Sequence, residues 1–379
     1  MLSHVAQISF FTDPQGRPPA QLLHDWPSLV DVAEAAAHTD VRVSVIQACT
    51  VSQTLTRNDV TYHFLPFGRA AASAQRTQAF GELIRSLSPD VCHVHGLGFP
   101  HDVLSLSALA RRIPIVLQDH ADSLPRLWRR WSWRRAFLAA SGIAFCALEQ
   151  ARPFASAGLI RAQTKLYEIP ESTSRFAPAN RDEIRRTLGV TGDPLVLWVG
   201  HLNANKDPLT VLDGISAAAR VLPRLKLWCC FGTAPLMPEV QHRITTDPAL
   251  RERVQLLGPA PHQRVEQLMQ AADLFVLGSH REGSGYSVIE ALACGLPPVV
   301  TDIPSFRSLT GEGAVGALWP CGDARRLCEA IVTMAQRPKE QTRAAVRAHF
   351  DSELSFAALG RKLHSMYEDL LRRQTAEFS

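Results

Sequence analysis

No stretch of this chain holds the roughly 18–20 consecutive apolar residues that a membrane-crossing helix requires. The first residues, MLSHVAQISFFTDPQG, lack a basic n-region, and their short apolar run breaks at Thr12–Asp13–Pro14, which argues against a secretory leader. Charge of neither sign is in excess. The formal net charge of +4 over 379 residues gives no reason to expect nucleic acid as a partner. The eight cysteines (49, 92, 146, 229, 230, 294, 321 and 328) follow neither metal-ligand spacing nor a disulfide framework. Most lie in apolar runs such as KLWCCFG and ALACGL, where a reduced cysteine is a small hydrophobe. No cluster of His, Asp and Glu has metal-ligand spacing, no internal repeat is visible and no tract is of low complexity. The expectation is a reduced, cytoplasmic protein with no metal and no resident cofactor.

The length is generous for one domain and comfortable for two. A hydrophobic content of 46% suits a substantial core. Short apolar runs alternate with amphipathic stretches, the pattern of a parallel sheet covered by helices. VAQISFF, VRVSVIQ, VCHVHG, IPIVLQD and GIAFCAL read as strands of a first unit. PLVLWVGHL, RLKLWCCFG, RVQLLG, LFVLGS, LPPVVT and GALWP read as strands of a second. Few positions alternate in polarity, so the strands should be buried on both faces. Residues 169–183 (IPESTSRFAPANRDE) are poor in apolar side chains and mark the join. The expected domains are 1–172, 173–352 and a helix over 353–379. Its stripe of Phe356, Leu359, Leu363, Met366, Tyr367 and Leu370 is to pack back on the first unit. The fold class is α/β, with the doubly wound sheet appearing twice and the two sheets facing each other across a cleft.

One stretch, HREGSGYSVIEALACG (280–295), concentrates chemistry. LFVLGS precedes it as a strand and VIEALACG reads as the helix after it, so Glu282 to Ser287 form a strand-to-helix loop at a carboxyl edge. Gly283 and Gly285 would let backbone approach a ligand, and the helix N-terminus with its unpaired N–H groups suits a phosphate. Glu282 can reach over such a ligand, and Glu290 can accept hydrogen bonds from paired hydroxyls such as those of a ribose. On two glutamates alone, a loop carboxylate and a solvated helix residue would be the better reading. Their setting favours a nucleotide-sugar site.

The segment ADLFVLGSHREGSGYSVIEALACGLPPVVTDIP closely resembles the donor-site motif of retaining glycosyltransferases of family 4, which have the GT-B fold. LWVGHLNANKDPLTVLDGI resembles that family's diphosphate loop, and the HVHG (93–96) and LQDHAD (117–122) region is a third, looser resemblance to the family. The resemblance implies transfer of a sugar from a nucleoside-diphosphate donor, UDP or GDP, to a glycan, lipid-linked or small-molecule acceptor. Configuration would be retained by front-face attack, without a metal. It implies that 1–172 is the acceptor-side domain and 173–352 the donor domain. Lys206 would pair with the departing diphosphate, Glu282 would hold the transferred sugar and Glu290 the ribose. Backbone of Gly283, Ser284, Gly285, Tyr286 and Ser287 would face the phosphates, and the strand ending at Gly258 would read the base. His120 would contact the donor sugar from the first domain. His95 and Gly16 would lie on the acceptor side.

Three features depart from the family pattern. His201 stands where arginine is usual after the glycine of WVGHLN; a protonated His201 on the diphosphate would give donor binding an acid-side pH dependence. Only Gly16 represents a glycine-rich first loop, and IPESTSRF replaces a common asparagine–glycine pair. Residues 124–138, LPRLWRRWSWRRAFL, hold five arginines and three tryptophans. The preferred reading buries a stripe of Leu124, Leu127, Trp128, Trp131 and Leu138 on the first sheet. It leaves Trp133 and Phe137 among arginines. The sharper reading is a peripheral contact between Arg126 and Phe137 and the inner membrane face or a lipid-linked acceptor. Two other functions stay open: a nucleotide-sugar 2-epimerase of the same architecture, and a non-catalytic nucleotide-sugar-binding protein.

Overall fold

The computed structural model describes residues 2–68, 73–110 and 112–378, with the side chains of Pro27 and 376–378 left aside. The chain divides into two compact units, Met1–Thr173 with Phe356–Ser379, and Ser174–Ser355.

The first unit is built on eight strands: β1 (His4–Ser9), β2 (Arg42–Cys49), β3 (Gln53–Arg57), β4 (Val60–Pro66), β5 (Val91–His95), β6 (Ile115–Gln118), β7 (Gly142–Phe145) and β8 (Leu166–Glu168). Their spatial order is β3-β4-β2-β1-β5-β6-β7-β8. All neighbours run parallel except β3 and β4, a hairpin closed by Asn58 and Asp59, both at positive φ. That two-residue turn matches the twist of a hairpin, and Asn and Asp tolerate the left-handed region best after glycine. The central strands are buried throughout except for half-buried His95 at the end of β5, as suits parallel strands covered on both faces.

The chain winds outward from β1 and returns to the centre at β5, so the order reverses between these two strands. The last helix, Phe356–Phe378, lies against Pro27–Ala37 in this unit. Leu359, Leu363, Met366, Tyr367 and Leu370 are its buried face, packed with Val5, Val32 and Val91. Gly360 makes the close approach workable, because a Cβ there would overlap the carbonyl oxygen of Ala35.

The second unit holds six strands: β9 (Leu195–Val199), β10 (Lys226–Cys230), β11 (Val254–Gly258), β12 (Leu274–Leu277), β13 (Pro298–Thr301) and β14 (Ala317–Trp319). They pair in the order β11-β10-β9-β12-β13-β14, all parallel. Trp198, Phe275, Phe306 and Trp319 are fully buried in its core. Here the order reverses between β9 and β12. In open α/β sheets such a reversal leaves a crevice beyond the carboxyl ends of the strands, where ligands bind.

Candidate functional site

The loops after β9 and β12 meet at the reversal point of the second unit. Gly278 allows it: a Cβ there would lie 3.0 Å from the carbonyl oxygen of Lys206 and 3.1 Å from that of Asp207. Three contacts stitch the loops together. His280 N–H donates to the Asn205 carbonyl (2.8 Å), the Asn205 amide donates to the Arg281 carbonyl (2.9 Å), and His280 Nε2 meets an Asp207 carboxylate oxygen at 3.1 Å. Asp207 also caps the helix Pro208–Ala219 by accepting from Thr210 N–H. Within this frame Lys206 Nζ is ion-paired with the Glu282 carboxylate, both side chains mostly buried.

Beyond Glu282, Gly283, Ser284 and Gly285 are buried, and Gly285 caps the helix Tyr286–Ala293 from the left-handed region at φ 65°. Glycine is required there twice over, since a Cβ would also press on Phe306 at 2.8 Å. The helix begins without a side-chain cap, and its positive dipole end lies at this loop. Tyr286 is 36% exposed and Ser287 half-buried at this end. Glu290, one turn further, meets His262 Nε2 at 2.6 Å, and the His262 ring packs on Phe176. His262 was not among the expected residues. It lies four positions after Gly258, at the start of the helix following β11. Gly258 itself sits at φ 72° opposite an irregularity between Cys229 and Cys230.

His201 is exposed, with Nδ1 accepting a hydrogen bond from Thr233 N–H at 3.0 Å and the ring resting on Gly232. The contact fixes the orientation of the ring beside the loop after β10.

In the first unit, a cavity of about 400 Å³ opens at the reversal point of its sheet, past the ends of β1 and β5. Phe11, Trp26 and Phe99 give it aromatic walls, and His95, His120 and Asp122 give it polar ones. Gly16 is not part of the lining. It ends a turn in which the Asp13 carboxylate accepts from the N–H groups of Gln15 and Arg17 and from the Arg17 side chain.

The hydrogen bonds beneath this cavity assign its protons. Glu171, a buried carboxylate, can only accept, so His120 Nδ1, which it contacts, carries hydrogen. Gln7 points its amide nitrogen at the Val32 carbonyl and the Tyr367 hydroxyl, leaving its oxygen 3.2 Å from His95 Nε2. His95 Nε2 therefore carries hydrogen too. His95 Nδ1 and His120 Nε2 lie 3.0 Å apart. Burial holds His95 neutral, well below the ordinary histidine range, so its Nδ1 accepts and His120 Nε2 donates. His120 is then an imidazolium. Burial opposes that charge, but the hydrogen bond and charge of Glu171, with Asp122 and Asp119 nearby, raise its pKa nonetheless. Both its nitrogens are engaged within the unit, so it presents the cavity with a positive field and a ring edge. Asp119, buried beside it, is pushed up to about 7, first by burial and then by the charges of Asp122 and Glu171.

Two structural neighbours share this architecture. Sucrose-phosphate synthase from Thermosynechococcus elongatus superposes with a TM-score of 0.70 over 98% of this chain and 100% of its own, at 18% identity. Anabaena HepE, solved with UDP and glucose, superposes with a TM-score of 0.68 over 97% and 100%, at 19% identity. The fold class is GT-B.

The model for glycosyl transferases group 1 matches residues 180–349, and the model for glycosyltransferase family 4 matches 28–152. The chain belongs to this family of glycosyltransferases. One relative is the GDP-mannose:cellobiosyl-diphosphopolyprenol alpha-mannosyltransferase of Xanthomonas oryzae, 26% identical over 61% of this chain and 60% of its own length. Another is the D-inositol 3-phosphate glycosyltransferase of Nocardia farcinica, 30% identical over 38% of this chain and 34% of its own. The chain thus matches about three fifths of the length of the first and about a third of the second.

Proposed function

We propose that the protein transfers a sugar from a nucleoside-diphosphate donor, UDP- or GDP-linked, to a hydroxyl acceptor, with retention of anomeric configuration. The observation that carries this is the Lys206–Glu282 pair at the β9/β12 reversal point, beside an uncapped helix N-terminus. On donor binding, the diphosphate takes Lys206 and the sugar hydroxyls take Glu282. Each charge exchanges one partner for another without passing through an unpaired buried state. Lys206 and the helix N-terminus supply the positive charge that stabilises the leaving diphosphate, the task a metal performs elsewhere. Glu290, held by His262, receives the ribose hydroxyls. The acceptor occupies the cavity of the first unit, where Trp26 and Phe99 offer faces for a sugar ring. Acceptor attack and departure of the phosphate take place on the same face of the sugar, and a leaving phosphate oxygen takes the acceptor's proton.

Incubation with UDP- and GDP-sugars and a panel of glycosides, with EDTA present, tests this reading. Released nucleoside diphosphate together with a product whose anomeric coupling matches the donor supports it. An inverted product, or epimerised donor without transfer, contradicts it.

A further inference from the structure

Residues 124–138 fold differently from the wheel-based expectation. A 3-10 turn, Leu127–Arg129, leads into the helix Arg130–Ala139, which buries Ser132, Trp133, Ala136 and Phe137. Trp133 stacks parallel to Phe154, and Phe137 packs on both. The stripe expected to be buried is the outer one. Leu127 is 73% exposed, Trp128 73% and Trp131 68%, with Leu124 and Leu138 exposed beside them.

Arginine surrounds this apolar face. Arg126 lies over the Trp128 ring and Arg135 over Trp131, while Arg129 and Arg134 are exposed and Arg130 half-buried. None of the five makes an ion pair among the described residues. No Asp or Glu occurs between Asp122 and Glu149 to neutralise them. A soluble surface seldom leaves two tryptophans and a leucine open to water in one patch. Tryptophan and leucine amid unpaired arginine is the composition that settles at a lipid headgroup boundary. The rings enter the acyl edge, and the guanidinium groups bind lipid phosphates while their stems cover apolar surface.

From these observations we infer that the Leu127–Trp128–Trp131 face is a docking surface for an anionic membrane. The occupant is fixed by charge complementarity and by leucine. A nucleic acid would use the arginines and tryptophans, but it has no use for Leu124, Leu127 and Leu138. The patch starts in sequence just after Asp122, which lines the cavity of the first unit. Among the described residues no helix is long and apolar enough to cross a membrane, so the contact is peripheral.

The test is flotation of the purified chain with vesicles of phosphatidylglycerol and phosphatidylcholine, against phosphatidylcholine alone, at low and high salt. Two variants accompany it: Trp128→Ala/Trp131→Ala, and Arg126→Gln/Arg129→Gln/Arg134→Gln/Arg135→Gln. All these side chains are exposed, and circular dichroism verifies the folding of each variant. Binding only to the anionic vesicles, reduced at least tenfold by high salt and by either variant, is expected. Wild-type protein that stays unbound at low salt overturns the inference, as does binding that neither variant weakens. So does a wild-type dimer lost in the tryptophan variant without any vesicle binding, which would make the patch an interface between copies. Flotation does not read transfer, so its outcome is independent of the proposed activity.

Discussion

Lys206 and Glu282, 76 residues apart in sequence, close an ion pair at the point where the strand order of the second unit reverses. The pair ties the loop after β9 to the loop after β12. It also keeps both charges neutralised until a ligand separates them. The two residues therefore have distinct dependencies on the ligand. A nucleoside diphosphate competes with Glu282 for Lys206, whereas a transferred sugar requires Glu282 itself.

Glu282→Gln separates these roles. Removing the carboxylate releases Lys206, so affinity for the nucleoside diphosphate alone should hold or rise. Turnover of the nucleotide sugar should fall by roughly 10²–10³, the range for loss of one hydrogen-bonding group that acts in the transition state. Calorimetry and a transfer assay on one preparation read both. A parallel fall in diphosphate affinity would place Glu282 in holding the loop rather than the sugar.

The donor half of the site was legible because its signals are local. An apolar strand, a glycine loop and an amphipathic helix follow one another within 274–293, and the structure shows each where the pattern places it. All six strands of the second sheet were visible as apolar runs for the same reason. In the first sheet β3, β4 and β8 were missed. QTLTR is an edge strand with no buried position, VTYHFLP beside it alternates buried with half-buried positions, and three-residue β8 carries no periodicity.

The helix at Arg130–Ala139 failed differently. Both of its faces carry large apolar residues, and a helical wheel cannot tell which one has a partner; Phe154 supplies it, from beyond β7. Glu171 and His262 were out of reach for a related reason. Each matters through a residue distant in sequence, His120 and Glu290, and nothing local marks the pairing.

Glu171→Gln tests the proton assignment beneath the cavity. The glutamine can still accept from His120 Nδ1–H, but it no longer balances the charge. The midpoint of the His120 ring titration, followed by NMR, should move down, since the group that raised it is gone. An unmoved midpoint would mean that Asp119 and Asp122 hold the charge instead.

Asp119 links the same cluster to stability. Its pKa, raised by burial to about 7 from 3.8, means that the folded state binds the proton more tightly than the unfolded chain. The stabilisation is complete below about pH 4 and is lost as pH rises through 7, with a slope of about 1.4 kcal/mol per pH unit at most. Wild-type melting temperature should therefore fall more steeply between pH 4.5 and 7.5 than that of Asp119→Asn. The variant keeps an acceptor for Asp122 N–H. Equal slopes would show that Asp119 is already ionised throughout.

The central claim is a donor site organised around Lys206, and calorimetric titration with UDP, GDP and ADP in the presence of EDTA tests it most directly. Wild type should bind one of the three, and Lys206→Ala should weaken that binding tenfold or more, a loss of at least about 1.4 kcal/mol. Absence of binding by wild type, or equal binding by the variant, would contradict it.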